Sequence, residues 1–204
     1  MYLNFATMQS LEIYLTLTQT VIPRPVAWVL SENDDGGYNL APFSFFNAVC
    51  SEPPLIMISV GRRPDGSLKD TQANIEAKSD FVVHIGDWEQ LDSMNASSAT
   101  LSPGESEVQR LGLETVRFQQ FGLPRLTKCR VAFACSRYQI QEIGNSGNAL
   151  ILGRVHGVYL ADSVVSEDDR SHRKIHADRI NPIGRLGASE FVRFGEIHAR
   201  RRPP

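Results

Sequence analysis

Between Pro25 and Val60 the apolar and β-branched residues come in short runs broken by turn chemistry, and no run is long enough for a helix. Pro25 to Ser31 reads as a strand. It stops at Asn33-Asp-Asp-Gly-Gly37, where glycines supply the positive φ values of a hairpin, and Tyr38 to Phe43 returns antiparallel to it. Ser44 to Ser51 mixes apolar and small polar residues, Glu52-Pro53-Pro54 turns a corner, and Leu55 to Val60 is apolar enough for a buried strand. The pattern predicts three or four strands in roughly forty residues, the density of an all-β meander.

Downstream the period changes. Arg62 to Lys69 is too polar and broken for a strand, and it feeds a predicted helix over Asp70 to Lys78 that Asp70 or Thr71 would cap. Phe81 to Ile85 reads as a core strand, and Trp88 to Ala99 as a short helix with Trp88, Leu91 and Met94 on one stripe. Ser102-Pro-Gly-Glu105 breaks that pattern before a second small helix over Ser106 to Leu111. Pro124 to Lys128 connects to a long strand, Cys129 to Ile143. The turn Gly144-Asn-Ser-Gly-Asn148 joins it to Ala149 to Leu160, a hairpin expected to close a barrel against the first strands. Ser166 to Lys174 reads as a charged, solvated loop, and Arg200 to Pro204 as a frayed tail.

A chain of 204 residues suits one domain with one hydrophobic core. With 42% hydrophobic and 22% charged residues and a formal charge of −2, it carries no electrostatic footprint for nucleic acid or for an anionic membrane. No run approaches the roughly twenty apolar residues of a membrane span, and the N-terminus lacks the layout of a signal peptide, so cytoplasmic residence is expected. Cys50, Cys129 and Cys135 are odd in number and lack metal-ligand spacing; they are expected to be buried, reduced thiols. His84, His156, His172, His176 and His198 are scattered, and the four-residue spacing of His172 and His176 falls in a charged stretch, so no metal site is expected. Asn95-Ala-Ser97 fits a glycosylation sequon without meaning in a cytosolic chain.

One local arrangement points to a ligand. A loop carrying Lys69 into a helix start presents unpaired backbone N–H groups and a positive dipole end, which favour an anion such as a phosphate ester. Lys69, Thr71 and backbone amides are the expected ligands, with Asp70 turned away to cap its own helix. No Gly-x-Gly-x-x-Gly follows a predicted strand, so a Rossmann domain for a dinucleotide is not expected.

Pro23-Arg-Pro-Val-Ala-Trp28, Asn39-Leu-Ala-Pro-Phe-Ser-Phe-Phe46, Ser51-Glu-Pro-Pro54, Lys69-Asp-Thr71 with Asn74, and Phe81-Val-Val-His84 form an ordered set. It continues through Glu105-Ser-Glu107, Gly153-Arg-Val155, Lys174-Ile-His-Ala177 and Pro182-Ile-Gly-Arg-Leu186. In this set the chain resembles the flavin reductase-like family with the FMN-binding split barrel, and within it the flavin-reductase component of nitrilotriacetate monooxygenase. The resemblance implies a mainly β fold: a Greek-key-like, six- to seven-stranded antiparallel split β-barrel with a few short peripheral helices. It spans residues 1–204 as one domain, of which 166–204 include the charged loop and a C-terminal extension.

It further implies a homodimer with FMN near the subunit interface. Ser44, Phe45 and Phe46 would line the flavin ring, with Asn39 and Asn47 in reserve, and Ser59 and Val60 would pass the ribityl chain. Lys69, Asp70, Thr71 and Asn74 would surround the phosphate. Arg24 is either a phosphate anchor or a surface residue at a strand entry. His176 and Arg185 lie in the late segment and could fold over the nicotinamide side or contribute to the neighbouring subunit's site; for His176 an ordinary loop position is an equal alternative. The implied activity is hydride transfer from NAD(P)H to bound FMN, chemistry carried by the cofactor rather than by a catalytic triad. A partner oxygenase or other electron-acceptor protein would then receive reduced flavin. The alternative is an FMN-binding electron-transfer protein without direct NAD(P)H activity. One departure stands out: after Arg185-Leu-Gly187 the family usually has a small residue and then a Tyr, where this chain reads Ala-Ser-Glu-Phe191.

Overall fold

Seven strands form one antiparallel sheet: β1 (Ala27–Glu32), β2 (Tyr38–Phe43), β3 (Phe46–Ser51), β4 (Pro54–Val60), β5 (Asp80–Ile85), β6 (Val131–Ile143) and β7 (Asn148–Leu160). The computed structural model describes residues 1–102, 104–167, 172–201 and 203. Pro103, the centre of the predicted charged loop at 168–171, and tail positions 202 and 204 lie outside the described residues. Spatial order is β2-β1-β5-β6-β7-β4-β3. The first four strands are therefore not a meander but two hairpins at opposite edges of the sheet, with the long β6–β7 hairpin wedged between them.

That order has a geometric consequence. β2 and β3 are the two outermost strands, yet only Ser44 and Phe45 separate them along the chain. The sheet must coil until its edges meet at this two-residue link, which makes it a barrel with a seam. The Phe45 carbonyl accepts the Ser59 N–H at 2.8 Å and closes that corner.

Alternation along the strands fills both faces. Ala27, Val29, Phe43, Ile58, Val60, Phe81, Val83, Cys135 and Ile151 pack inside the barrel, plugged by Ile75 of helix α2 (Asp70–Lys78). The opposite face of β1 and β5 carries Trp28, Leu30 and Val82 into a second cluster with Met94, Val108, Phe118 and Leu126 from the excursion between β5 and β6. Two cores thus stand where composition suggested one. The excursion includes a single 3₁₀ turn, Trp88–Gln90, running into helix α3 (Leu91–Ala96), and helix α4 (Glu107–Arg110), whose Ser106 cap accepts from the Gln109 N–H. Ser97 of the sequon is buried and accepts the Trp28 indole N–H at 2.8 Å.

His84 pins the two cores together. It is fully buried, donates from Nδ1 to the Trp28 carbonyl at 3.0 Å and accepts at Nε2 from the Leu126 N–H at 2.9 Å; the second bond fixes the neutral tautomer. Burial lowers its pKa to about 4, which keeps the ring neutral at physiological pH.

The two sheet edges are treated differently. On β2, the Leu40 N–H donates to the buried Glu107 carboxylate at 2.8 Å and the Tyr38 carbonyl accepts from the Ser106 hydroxyl at 2.6 Å, so α4 covers that edge. On β3, Asn47 through Ser51 are exposed. Cys50 lies on this open edge, contrary to the expectation of three buried thiols; Cys129 and Cys135 are buried, and burial raises both their pKa values, that of Cys129 to about 12.

An element without a sequence forecast precedes the barrel: helix α1, Ser10–Thr20. Its β-branched threonines Thr16, Thr18 and Thr20 lower helix propensity and blur the apolar period. The signal that marks it is Glu12, whose carboxylate returns to the Gln9 N–H at 2.8 Å as in a capping box. Behind the barrel, Arg24–Pro25 pairs with Gly184–Arg185, which pairs in turn with Phe191–Val192.

Candidate functional site

The seam opens into a cleft of about 840 Å³ between α1 and the barrel. Its floor comes from Phe43, Ser44 and Phe45 at the seam and Ser59 on the neighbouring strand. One wall is Leu11, Tyr14 and Leu17 of α1, and the far rim is Asn145 to Asn148 at the β6–β7 turn. Lys69 closes one end, its ammonium 5.9 Å from the centre of the Phe43 ring.

Lys69 also faces a smaller hollow at the start of α2, shared with Asn39, Arg62, Arg63, Asp70, Thr71 and Glu107. Lys69 is the N-cap residue of α2, and no side chain caps the helix. The Gln72 N–H bonds the Lys69 carbonyl at 2.9 Å, which leaves the Asp70 and Thr71 N–H groups beside the Lys69 side chain, an arrangement suited to an anion. Asp70 does not cap: its carboxylate accepts from Arg63 at 2.6 Å. Thr71 is buried, and its hydroxyl accepts from the Asn39 amide at 2.8 Å. Asn39 reaches on to Ser31 at 3.2 Å, and Asn74 joins the same network through Ser31 at 3.1 Å and Asn33 at 2.8 Å. The network holds Thr71 in place from behind and occupies the donors of Asn74.

The sequence candidates therefore separate into groups. Ser44, Phe45, Ser59 and Lys69 line the cleft; Lys69, Asp70 and Thr71 line the hollow beside it. Val60 is fully buried in the barrel interior, one strand position beyond Ser59, and Phe46 packs against the same interior. Arg24 is neither at the surface nor in the cleft lining. It is buried behind the floor, where its guanidinium donates to Ser44 Oγ at 3.3 Å, to the carbonyls of Thr18 and Val21, and to the Leu186 carbonyl at 2.7 Å. One residue thus clasps the end of α1, the seam and the C-terminal segment; burial is the main cause of its lowered pKa, with the neighbouring Arg185 adding to it.

Arg185 lies over the Phe191 ring at 4.3 Å and donates to the Ala188 carbonyl. His176 begins the short helix Ala177–Ile180 and shares a 2.7 Å hydrogen bond with Ser166, away from both hollows. Sequence reasoning missed the α1 wall and the Asn145–Asn148 rim. Among the described residues no group of three or more His, Cys, Asp or Glu could hold a metal ion, and no helix is long and apolar enough to cross a membrane.

A coiled antiparallel barrel with an aromatic floor at its seam and a cationic helix start beside it offers a lining suited to a flat ring that carries an anion. The family model of the flavin reductase like domain matches residues 19–176, and the chain belongs to that family. A protein of Halalkalibacterium halodurans is 36% identical over 207 residues, covering 100% of this chain and 97% of its own. Among solved structures, nitrilotriacetate monooxygenase component B from Bacillus cereus superposes with a TM-score of 0.90 at 31% identity, over 98% of both chains. The 2-nitrobenzoate 2-nitroreductase of Pseudomonas fluorescens gives 0.88 at 26%, over 100% of this chain and 96% of that one. The chain is a flavoprotein oxidoreductase of the flavin reductase type with the split-barrel fold.

Proposed function

We propose that the protein transfers hydride from NAD(P)H to FMN held in the seam cleft, working as a homodimer that supplies reduced flavin to an oxygenase. The observation that carries this reading is the continuity of the aromatic cleft with the helix-start cradle through Lys69. The dimensions fit: the cleft lies within the roughly 300–1,000 Å³ typical of cofactor sites, and it offers flat apolar surface beside hydroxyls.

In this reading Lys69, Thr71 and the first α2 amides hold the phosphate, where a charge-assisted contact outweighs a neutral one. Ser44 and the seam backbone orient the polar edge of the ring, Phe45 gives it a flat apolar contact, and Ser59 lies along the chain between ring and phosphate. Arg24 fixes Ser44 from behind. The flavin, when bound, supplies the redox centre that accepts hydride, so no side chain here need act as acid or base. Tyr14 and Leu11 of α1 line the outer wall.

What one chain leaves open supports the dimer. Leu11, Tyr14 and Leu17 of α1 are 66%, 55% and 42% exposed, Phe45 is 38% exposed, and the β3 edge beside them is bare. A patch of this kind at a half-walled cleft is an interaction surface, and a second copy of the chain would wall the cleft. The oxygenase partner draws on the likeness to component B of a monooxygenase.

Anaerobic titration of the FMN-loaded protein with NADH and with NADPH tests the activity. Bleaching of the flavin absorbance within catalytic times is expected with one or both. Tight FMN retention with no bleaching by either would instead favour an electron carrier fed by another protein.

A further inference from the structure

In the short strand pair behind the barrel, Arg24 stands directly opposite Arg185. Like charges placed opposite one another across a strand pair repel. Among the described residues no carboxylate stands between them: the Arg24 guanidinium donates to the carbonyls of Thr18, Val21 and Leu186 and to the Ser44 hydroxyl, and Arg185 donates to the Ala188 carbonyl. Every one of these acceptors is neutral. Arg24 is 6% exposed, so its charge is held where little water screens it. Burying a cation without a counter-charge is unfavourable, and a second cation beside it adds to the strain. Excess positive charge is thus built into this place.

The space this charge faces is the seam cleft. Arg24 Nε lies 3.3 Å from Ser44 Oγ, and the guanidinium carbon lies 5.9 Å from the centre of the Phe45 ring; Ser44 and Phe45 are both part of the cleft floor. Ser44 Oγ accepts from Arg24, so its own hydrogen is available to a ligand. A ring lying on this floor therefore meets a hydroxyl donor, with a positive charge one side-chain layer below. The negative end of α1, whose last carbonyls Arg24 receives, amounts to about half a charge and offsets only part of it.

Such a charge discriminates between redox states. A hydride carries one proton and two electrons, so the nicotinamide that delivers it leaves as NAD(P)⁺ and the ring that receives it gains one negative charge. A fixed cation below the ring stabilises the charged product over the neutral reactant. The phosphate charge is the same in both states, so the start of α2 does not distinguish them.

We propose that Arg24, with Arg185 opposite it, sets the reduction potential of the bound flavin: its charge, and the Ser44 hydroxyl it positions, favour the reduced, anionic ring and so favour hydride capture. This deepens the reading of the seam cleft as the flavin site and rests on it. Arg24 is here a positioning residue, acting through Ser44 and through space.

The test is the midpoint potential of bound FMN, read anaerobically against reference dyes in wild type, Arg24→Gln, Arg24→Lys and Arg185→Gln, with the affinity for oxidised FMN measured by fluorescence quenching. Wild type should bind reduced FMN more tightly than oxidised FMN, which places the bound potential above that of free FMN. Arg24→Gln should cut this ratio of affinities about tenfold, a fall of about 30 mV for a two-electron couple. Arg185→Gln should shift the potential the same way by less. Arg24→Lys keeps the charge and should stay near the wild-type potential even where its affinity for FMN falls. A merely structural clasp would weaken both redox states together, so an Arg24→Gln potential equal to wild type overturns the proposal. An Arg24→Lys shift as large as that of Arg24→Gln, or a wild-type potential below that of free FMN, also overturns it. Should Arg24→Gln fail to fold, an Arg185→Gln potential equal to wild type does the same. Failure of wild type to bind FMN at all would instead overturn the reading of the seam cleft.

Discussion

Two side chains carry the sharpest residue-level consequences. If the start of α2 holds the phosphate, Lys69→Met should weaken FMN about 10- to 100-fold, the scale of one lost charge-assisted hydrogen bond. Riboflavin, which lacks the phosphate, should bind both proteins equally, and fluorescence quenching measures both affinities. His84 sets a pH dependence. The folded chain holds its imidazole at about 4 against an ordinary 6.5, so between those values the unfolded chain binds a proton that the folded chain refuses. Its contribution is complete above about pH 6.5 and is lost as pH falls toward 4, by about 3 kcal/mol. Asp87 and Glu107, whose carboxyl pKa values burial raises, act in the opposite sense. Urea unfolding at pH 7 and pH 4.5 should therefore show a steeper acid loss in wild type than in His84→Gln; equal losses would contradict the assignment.

At the scale of elements, the covered edge of β2 is held by the Glu107 carboxylate together with the Ser106 hydroxyl. Glu107→Ala leaves the Leu40 N–H without its acceptor in a buried setting and should cost about 1–3 kcal/mol in denaturant unfolding. The elements were unevenly legible in the sequence. The barrel strands were readable because Trp28, Val29 and Leu30 or Phe81, Val82 and Val83 are apolar on both faces and bounded by turn residues. Their pairing was not. Adjacent segments such as β2 and β3 look like a meander, and only the insertion of β7 beside β4 separates them, a long-range pairing that no local pattern records. Helix α1 stayed hidden because its threonines dilute the period and its apolar face is turned outward rather than into a core. The cleft wall it provides was hidden with it. Lys69 and Thr71 were legible because a cationic loop before a helix start has a local chemical meaning; the clasp made by Arg24 depends on carbonyls as far along the chain as Leu186.

For the whole molecule, the half-walled cleft and the assembly are one question. If a second copy completes the site, Leu11→Asp on the exposed face of α1 should yield monomers in analytical ultracentrifugation, and FMN affinity should fall with the dimer. A monomeric wild type that retains FMN would remove the partner from the account. The central claim is simpler and lies upstream of assembly, activity and electron acceptor: the seam cleft holds the flavin ring and the start of α2 holds its phosphate. A crystal structure with FMN tests it most directly. The account predicts phosphate oxygens within hydrogen-bond distance of Lys69 Nζ and the first α2 amides, with the ring against Phe45 and Ser44; a flavin bound elsewhere, or a cleft that stays filled by its own side chains at saturating FMN, would contradict it.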